Sequence, residues 1–167
     1  MSRSSNTARA ATRVDAALSA FAAGGPVLIH DATDREGEVD LVYPAAAVDP
    51  PDVARMRNDA GGLVCVALTD TVCETWQLPF AQELLDHPAG AAHDLGYDER
   101  SSFSLTVNHR DTFTGITDED RALTISALGA AAGKIARETQ VAGDDAAGSI
   151  ATDAHSFAER FRAPSNV

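Results

Sequence analysis

The chain predicts an α/β (α+β) fold in which helices flank a mixed sheet, and three stretches carry that prediction. LVCVAL at 63–68 is a continuous apolar run of strand length, as in a central strand covered on both faces. SSFSLTVNH at 101–109 alternates Phe103, Leu105 and Val107 with Ser104, Thr106 and Asn108, the pattern of a half-buried strand. Thr117 followed by Asp118, Glu119 and Asp120 reads as a helix N-cap with acids in the first turn. The helix it opens is expected to run to about residue 139.

The other elements follow in order. Val14, Leu18 and Phe21 recur at helical spacing, so a first helix is expected over about 8–23, stopped by Gly24-Gly25 before Pro26. An organelle transit peptide is the competing reading of this basic, serine-rich start. Strands are expected at about 26–30 and 40–44, with a possible hairpin between them. DPPDVARMRNDAGG (49–62) has Asp before Pro-Pro and ends on Gly-Gly, the two ends of a short capped helix. TDTVCETWQL (69–78) reads as another short helix, stopped by Pro79. Gly129 and Gly133 weaken the long helix relative to alanine, which points to close packing there. No repeat or linker divides the chain, so residues 1–167 are expected to form a single domain.

Charge narrows the function classes. With 25 acids against 13 bases, only one of them a lysine, the net charge is −12. Nucleic acid and anionic membranes need a basic face, so neither is an expected partner. An acidic, alanine-rich, lysine-poor chain resembles proteins of halophilic organisms. Two cysteines, Cys65 and Cys73, are too few for a disulfide scaffold and fit a reducing cytoplasm. No apolar run approaches the ~20 residues of a membrane helix.

The densest charge lies in DATDREGEVD (31–40), where Arg35 sits among five carboxylates. Asp34, Glu36, Glu38 and Asp40 are spaced by two, which in an extended backbone aims all four to one side. Two readings stand. Glu36 and a neighbour offer hard oxygen ligands to Mg²⁺, with Arg35 beside them for a phosphate or hydroxyl; otherwise the segment is a solvated acidic hairpin. TFTGITDED (112–120) places Thr114, Gly115 and Thr117 just before a helix start, where free N–H groups favour an anion, or where an ordinary capped turn would sit. Cys65 in mid-strand is by default a small buried hydrophobe, and His109 a surface or capping residue. FRAPSNV (161–167) suits a turn leading into another strand.

Taken together, DREGEVDLVYPA, RNDAGGLVCVAL and YDERSSFSLTVNHRDTFTGITDEDRALTI resemble three blocks of the 3,4-dihydroxy-2-butanone 4-phosphate (DHBP) synthases of riboflavin biosynthesis, archaeal type. The resemblance spans most of residues 10–162 and implies a three-layer, cytoplasmic, homodimeric enzyme. It implies conversion of ribulose 5-phosphate to DHBP with loss of formate, assisted by Mg²⁺ or Mn²⁺. Carried over by position, Glu36 is the metal carboxylate and also meets substrate. Arg35, Asp40 and Thr114 bind the sugar phosphate, and Glu38, Asp31 and Cys65 are the catalytic groups. Two later family features are not matched. Ser165 and Asn166 stand where Gly and His are expected, and the G-H-T-E block with the family's other metal ligand has no counterpart in this sequence. The expectation is therefore a C-terminally truncated member, active as a lyase or reduced to binding a divalent cation or phosphosugar.

Overall fold

A computed structural model describes residues 3–32, 34, 36–88, 100–142 and 153–165. Helix α1 (Arg3–Ala22) leads through the Gly24 turn into β1 (Val27–His30), which pairs antiparallel with β2 (Val39–Val42). The register sets Val27 opposite Val42 and His30 opposite Val39. The first helix and the hairpin are therefore as the sequence predicts. The apolar stripe of α1 is not covered by the described residues: Val14 and Leu18 are more than half exposed, and only Phe21 is half-buried.

Helix α2 (Pro50–Arg55) has the predicted start. Asp49 accepts from the Asp52 N–H at 3.0 Å, Asp52 accepts in return from the Asp49 N–H at 3.2 Å, and Pro50 and Pro51 fill positions whose N–H groups need no partner. A π turn (Met56–Ala60) carries the chain to Gly61, where φ is +73°. Helix α3 (Asp70–Trp76) ends on Gln77 in the left-handed region, φ +53°.

Helix α4 (Asp118–Ala142) organises the rest. Thr117 caps it, its hydroxyl accepting from the Asp120 N–H at 3.1 Å. Its first half contributes Ala122 to a core with Tyr43, Val48 and Val53. Leu128, almost two turns later, joins a second core with Val72, Trp76, Phe157 and Phe161. Next to Leu128, Gly129 lies directly on the backbone of Ala45 and Ala46. A Cβ at Gly129 would overlap both, which accounts for glycine inside this helix. The second core is completed by α5 (Ala154–Arg160) and β4 (Phe161–Arg162), which pairs with β3 (Asn108–His109). Trp76 meets Phe157 at a tilt, 5.1 Å between centroids, Phe157 and Phe161 stack at 5.0 Å, and His109 meets Phe161 edge-on at 5.5 Å.

The class is α+β, helices with small antiparallel sheets, as the sequence predicts. The individual strands differ. Among the described residues the sheets are two two-stranded ribbons, and 63–68 joins neither. Val66 and Leu68 pack on the second core, whereas Leu63 is 78% exposed. A strand buried on both faces needs a hydrogen-bonded neighbour on each side, and none of the described segments supplies one. The strand expected over 101–109 is reduced to Asn108–His109 because its backbone bonds elsewhere. Phe103 O accepts from the Ala81 N–H at 2.9 Å, and Thr106 O from the Ser165 N–H at 3.1 Å. In FRAPSNV, Phe161 and Arg162 form a short strand and the bend follows at 163–164; residues 166–167 lie outside the described residues. No described helix is long and apolar enough to cross a membrane.

Candidate functional site

The β1–β2 ribbon delivers the acidic segment as a loop. The ladder extends one step beyond the strands, the Asp31 N–H donating to Glu38 O at 3.0 Å. Inside it the chain turns at Gly37, φ +65°, whose N–H donates to Ala32 O at 3.2 Å. The Asp31 carboxylate bridges the loop from within. One oxygen accepts from the Ala32 N–H at 2.7 Å and the other from the Glu36 N–H at 3.1 Å. Asp31 thus fixes where Glu36 begins.

The extended geometry that spacing by two presumes holds only from Val39 onward. Glu36 and Glu38 come within hydrogen-bond reach nonetheless, with Asp40 and Asp31 near enough for their charges to act on Glu38. A hydrogen bond to Glu36, and then the charges of Glu36, Asp40 and Asp31, raise the Glu38 carboxyl above its ordinary range. This is the response of like charges at close range. A divalent cation fits such a group, since Mg²⁺ takes one or two carboxylates and keeps several waters. Among the described residues no three His, Cys, Asp or Glu side chains are grouped to chelate one ion, so Glu36 with Glu38 is the anchor that fits best. Arg35 lies outside the described residues.

Thr114 and Cys65 lie on other segments of the chain. Cys65 is exposed in the 61–69 segment, its thiol only 4.0 Å from Leu63 O, rather than buried in a central strand. Thr114 belongs to the turn before α4, for which the sequence allowed either free N–H groups or an ordinary capped turn. The N–H groups are taken by Asp120. Its carboxylate accepts from the N–H groups of Phe113 (3.1 Å), Thr114 (2.9 Å) and Gly115 (2.7 Å), and from the Thr114 hydroxyl at 3.1 Å. These bonds, led by that from Gly115, hold the Asp120 carboxyl below its ordinary range. Gly115, φ +81°, is seated on the buried Asn108 side chain, and a Cβ there would overlap the amide. Sequence reasoning missed Asp120 and Asn108 as parts of this site. The readable signal was an acid six residues after Thr114, set just inside a helix start.

Comparison with known proteins places this geometry. The family model described as 3,4-dihydroxy-2-butanone 4-phosphate synthase matches residues 15–164. The chain belongs to this family. Its DHBP synthase relatives include one from Archaeoglobus fulgidus, 43% identical over 90% of this chain and 61% of the relative. Another, from Methanothermobacter thermautotrophicus, is 39% identical over 92% of this chain and 63% of the relative. The chain therefore spans about three fifths of the length of these curated relatives. A crystal structure titled as a DHBP synthase in complex with two magnesium ions superposes with a TM-score of 0.62 at 26% identity, covering 92% of this chain and 57% of that one. The acidic loop, the RNDAGG segment and the Thr114 turn all lie within the part matched by the family.

Proposed function

We propose that this chain carries the DHBP synthase reaction, converting ribulose 5-phosphate to 3,4-dihydroxy-2-butanone 4-phosphate and formate. The observation that carries the reading is the pairing of Glu36 with Glu38 in a loop fastened by Asp31, in a chain belonging to this family. Glu36, with Glu38 beside it, would hold Mg²⁺ or Mn²⁺; the magnesium complex of a solved relative supports a divalent ion. Such an ion supplies Lewis-acid stabilisation to substrate oxygens that gain charge.

The remaining roles fall to this chain's own groups. The reaction begins with loss of a proton next to a carbonyl, which needs a positioned base. Glu38, next to the Glu36 that would hold the ion, is the carboxylate placed to take it. Asp31 belongs with Glu38 to the acid–base shell and also holds the Glu36 backbone. Arg35 and Asp40 meet the sugar phosphate, Thr114 contacts the substrate, and Cys65 lies beside it. We read residues 1–167 as one DHBP-synthase-like domain, working as a cytoplasmic homodimer at high salt on a small sugar phosphate, with no nucleic-acid or membrane partner. One observation favours a second reading, binding of the cation or phosphosugar without turnover: no three-ligand group is present among the described residues.

Formate release from ribulose 5-phosphate separates the two. With the purified chain at high salt, formate is expected to appear with Mg²⁺ and to stop on adding EDTA. A folded chain that shifts on adding Mg²⁺ or ribulose 5-phosphate yet releases no formate would establish the second reading instead.

A further inference from the structure

Asp120 presents the Thr114 turn to the substrate in a particular chemical sense. Three consecutive N–H groups, those of Phe113, Thr114 and Gly115, converge on its carboxylate within 3.1 Å. With Gly115 at positive φ this is an anion-binding concavity of backbone amides, and its anion is the chain's own. The Thr114 hydroxyl has little freedom left. It lies 3.1 Å from Asp120 Oδ2, which as a carboxylate can only accept, and 3.2 Å from the Ile116 N–H, which can only donate. The hydroxyl proton therefore points at Asp120, one lone pair receives Ile116, and one lone pair remains.

We propose that Asp120 is a positioning residue that excludes external anions from the Thr114 turn and leaves Thr114 as a hydrogen-bond acceptor for a substrate hydroxyl rather than a donor to its phosphate. This rests on the reading of Thr114 as a substrate contact. It turns that reading from a generic contact into a specific one. The phosphate must then be held elsewhere, and the sugar hydroxyls are what the turn can recognise. Asn108 supports the arrangement from below, since Gly115 can approach it only for want of a side chain.

The test uses the full chain and amide NMR, with wild type, Asp120→Ala and Asp120→Asn. Exchange of the Phe113, Thr114 and Gly115 amides is expected to quicken roughly ten- to a hundred-fold in Asp120→Ala, the factor for a hydrogen bond to a charged acceptor. Added acetate should restore protection in that variant and leave wild type unchanged. If Asp120→Ala does not fold, Asp120→Asn, which keeps an acceptor and loses the charge, is expected to show a smaller acceleration of the same three amides. Inorganic phosphate should move these signals in Asp120→Ala and not in wild type, whereas ribulose 5-phosphate should move Thr114 in wild type. Unchanged exchange in the variants, or phosphate binding at the wild-type turn, would overturn the proposal. Altered exchange and acetate rescue, with no wild-type response to ribulose 5-phosphate, would uphold the Asp120 turn and remove Thr114 from the substrate site.

Discussion

Phe161→Ala is expected to lose about 3–5 kcal/mol of folding stability, the range for truncating a fully buried aromatic. The side chain is 1% exposed and contacts three rings, those of Phe157, His109 and Trp76, the last at 6.4 Å. Truncation leaves a cavity where α3, α4, α5 and the β3–β4 ribbon meet, and none of these can close it without breaking another contact. Urea unfolding should show the midpoint falling with the m-value unchanged, and the melting temperature should drop by roughly 10 °C. Phe161→Leu should retain much of the stability by refilling most of the volume. A loss below about 1 kcal/mol for Phe161→Ala would mean that the second core is not built around this ring.

The largest effect on activity is expected from Glu36→Ala. Removing a group that merely orients a metal ligand costs 10–100-fold, so removing the ligand itself should lower formate release by about a hundred-fold or more. Far-ultraviolet circular dichroism should be unchanged, because the Glu36 contact that shapes the loop is made by its backbone N–H to Asp31. The substitution should also lower the Glu38 pKa toward its ordinary value, since Glu36 is the leading cause of the shift. Near-normal formate release by Glu36→Ala would remove this carboxylate from the metal site.

Much of this was readable from the chain, for identifiable reasons. The α2 start is local chemistry, Asp49 and Asp52 with two prolines, and local chemistry survives folding. The same holds for Thr117 at the head of α4 and for the glycine that lets α4 meet Ala45 and Ala46. The failures are where partners decide. LVCVAL has a strand's composition, yet a strand is defined by its neighbours, and the described residues give it none. Within the site, the sequence located the acidic cluster and misjudged its mechanics. Period-two spacing suggested an extended comb; a loop fastened by Asp31 brings Glu36 and Glu38 together instead. The amides before α4 were open to two readings, an external anion or an ordinary capped turn, and three-dimensional placement shows Asp120 folded back onto them.

The central claim, that the 31–40 loop is a divalent-cation site, is tested most directly by Mn²⁺ titration of the ¹⁵N-labelled chain at high salt. Paramagnetic broadening should appear first at the amides of Glu36, Gly37 and Glu38, be reversed by excess Mg²⁺, and leave Leu128 and Ile135 in α4 sharp. Broadening that spreads evenly over the acidic surface, or persists unchanged in Glu36→Ala, would contradict it.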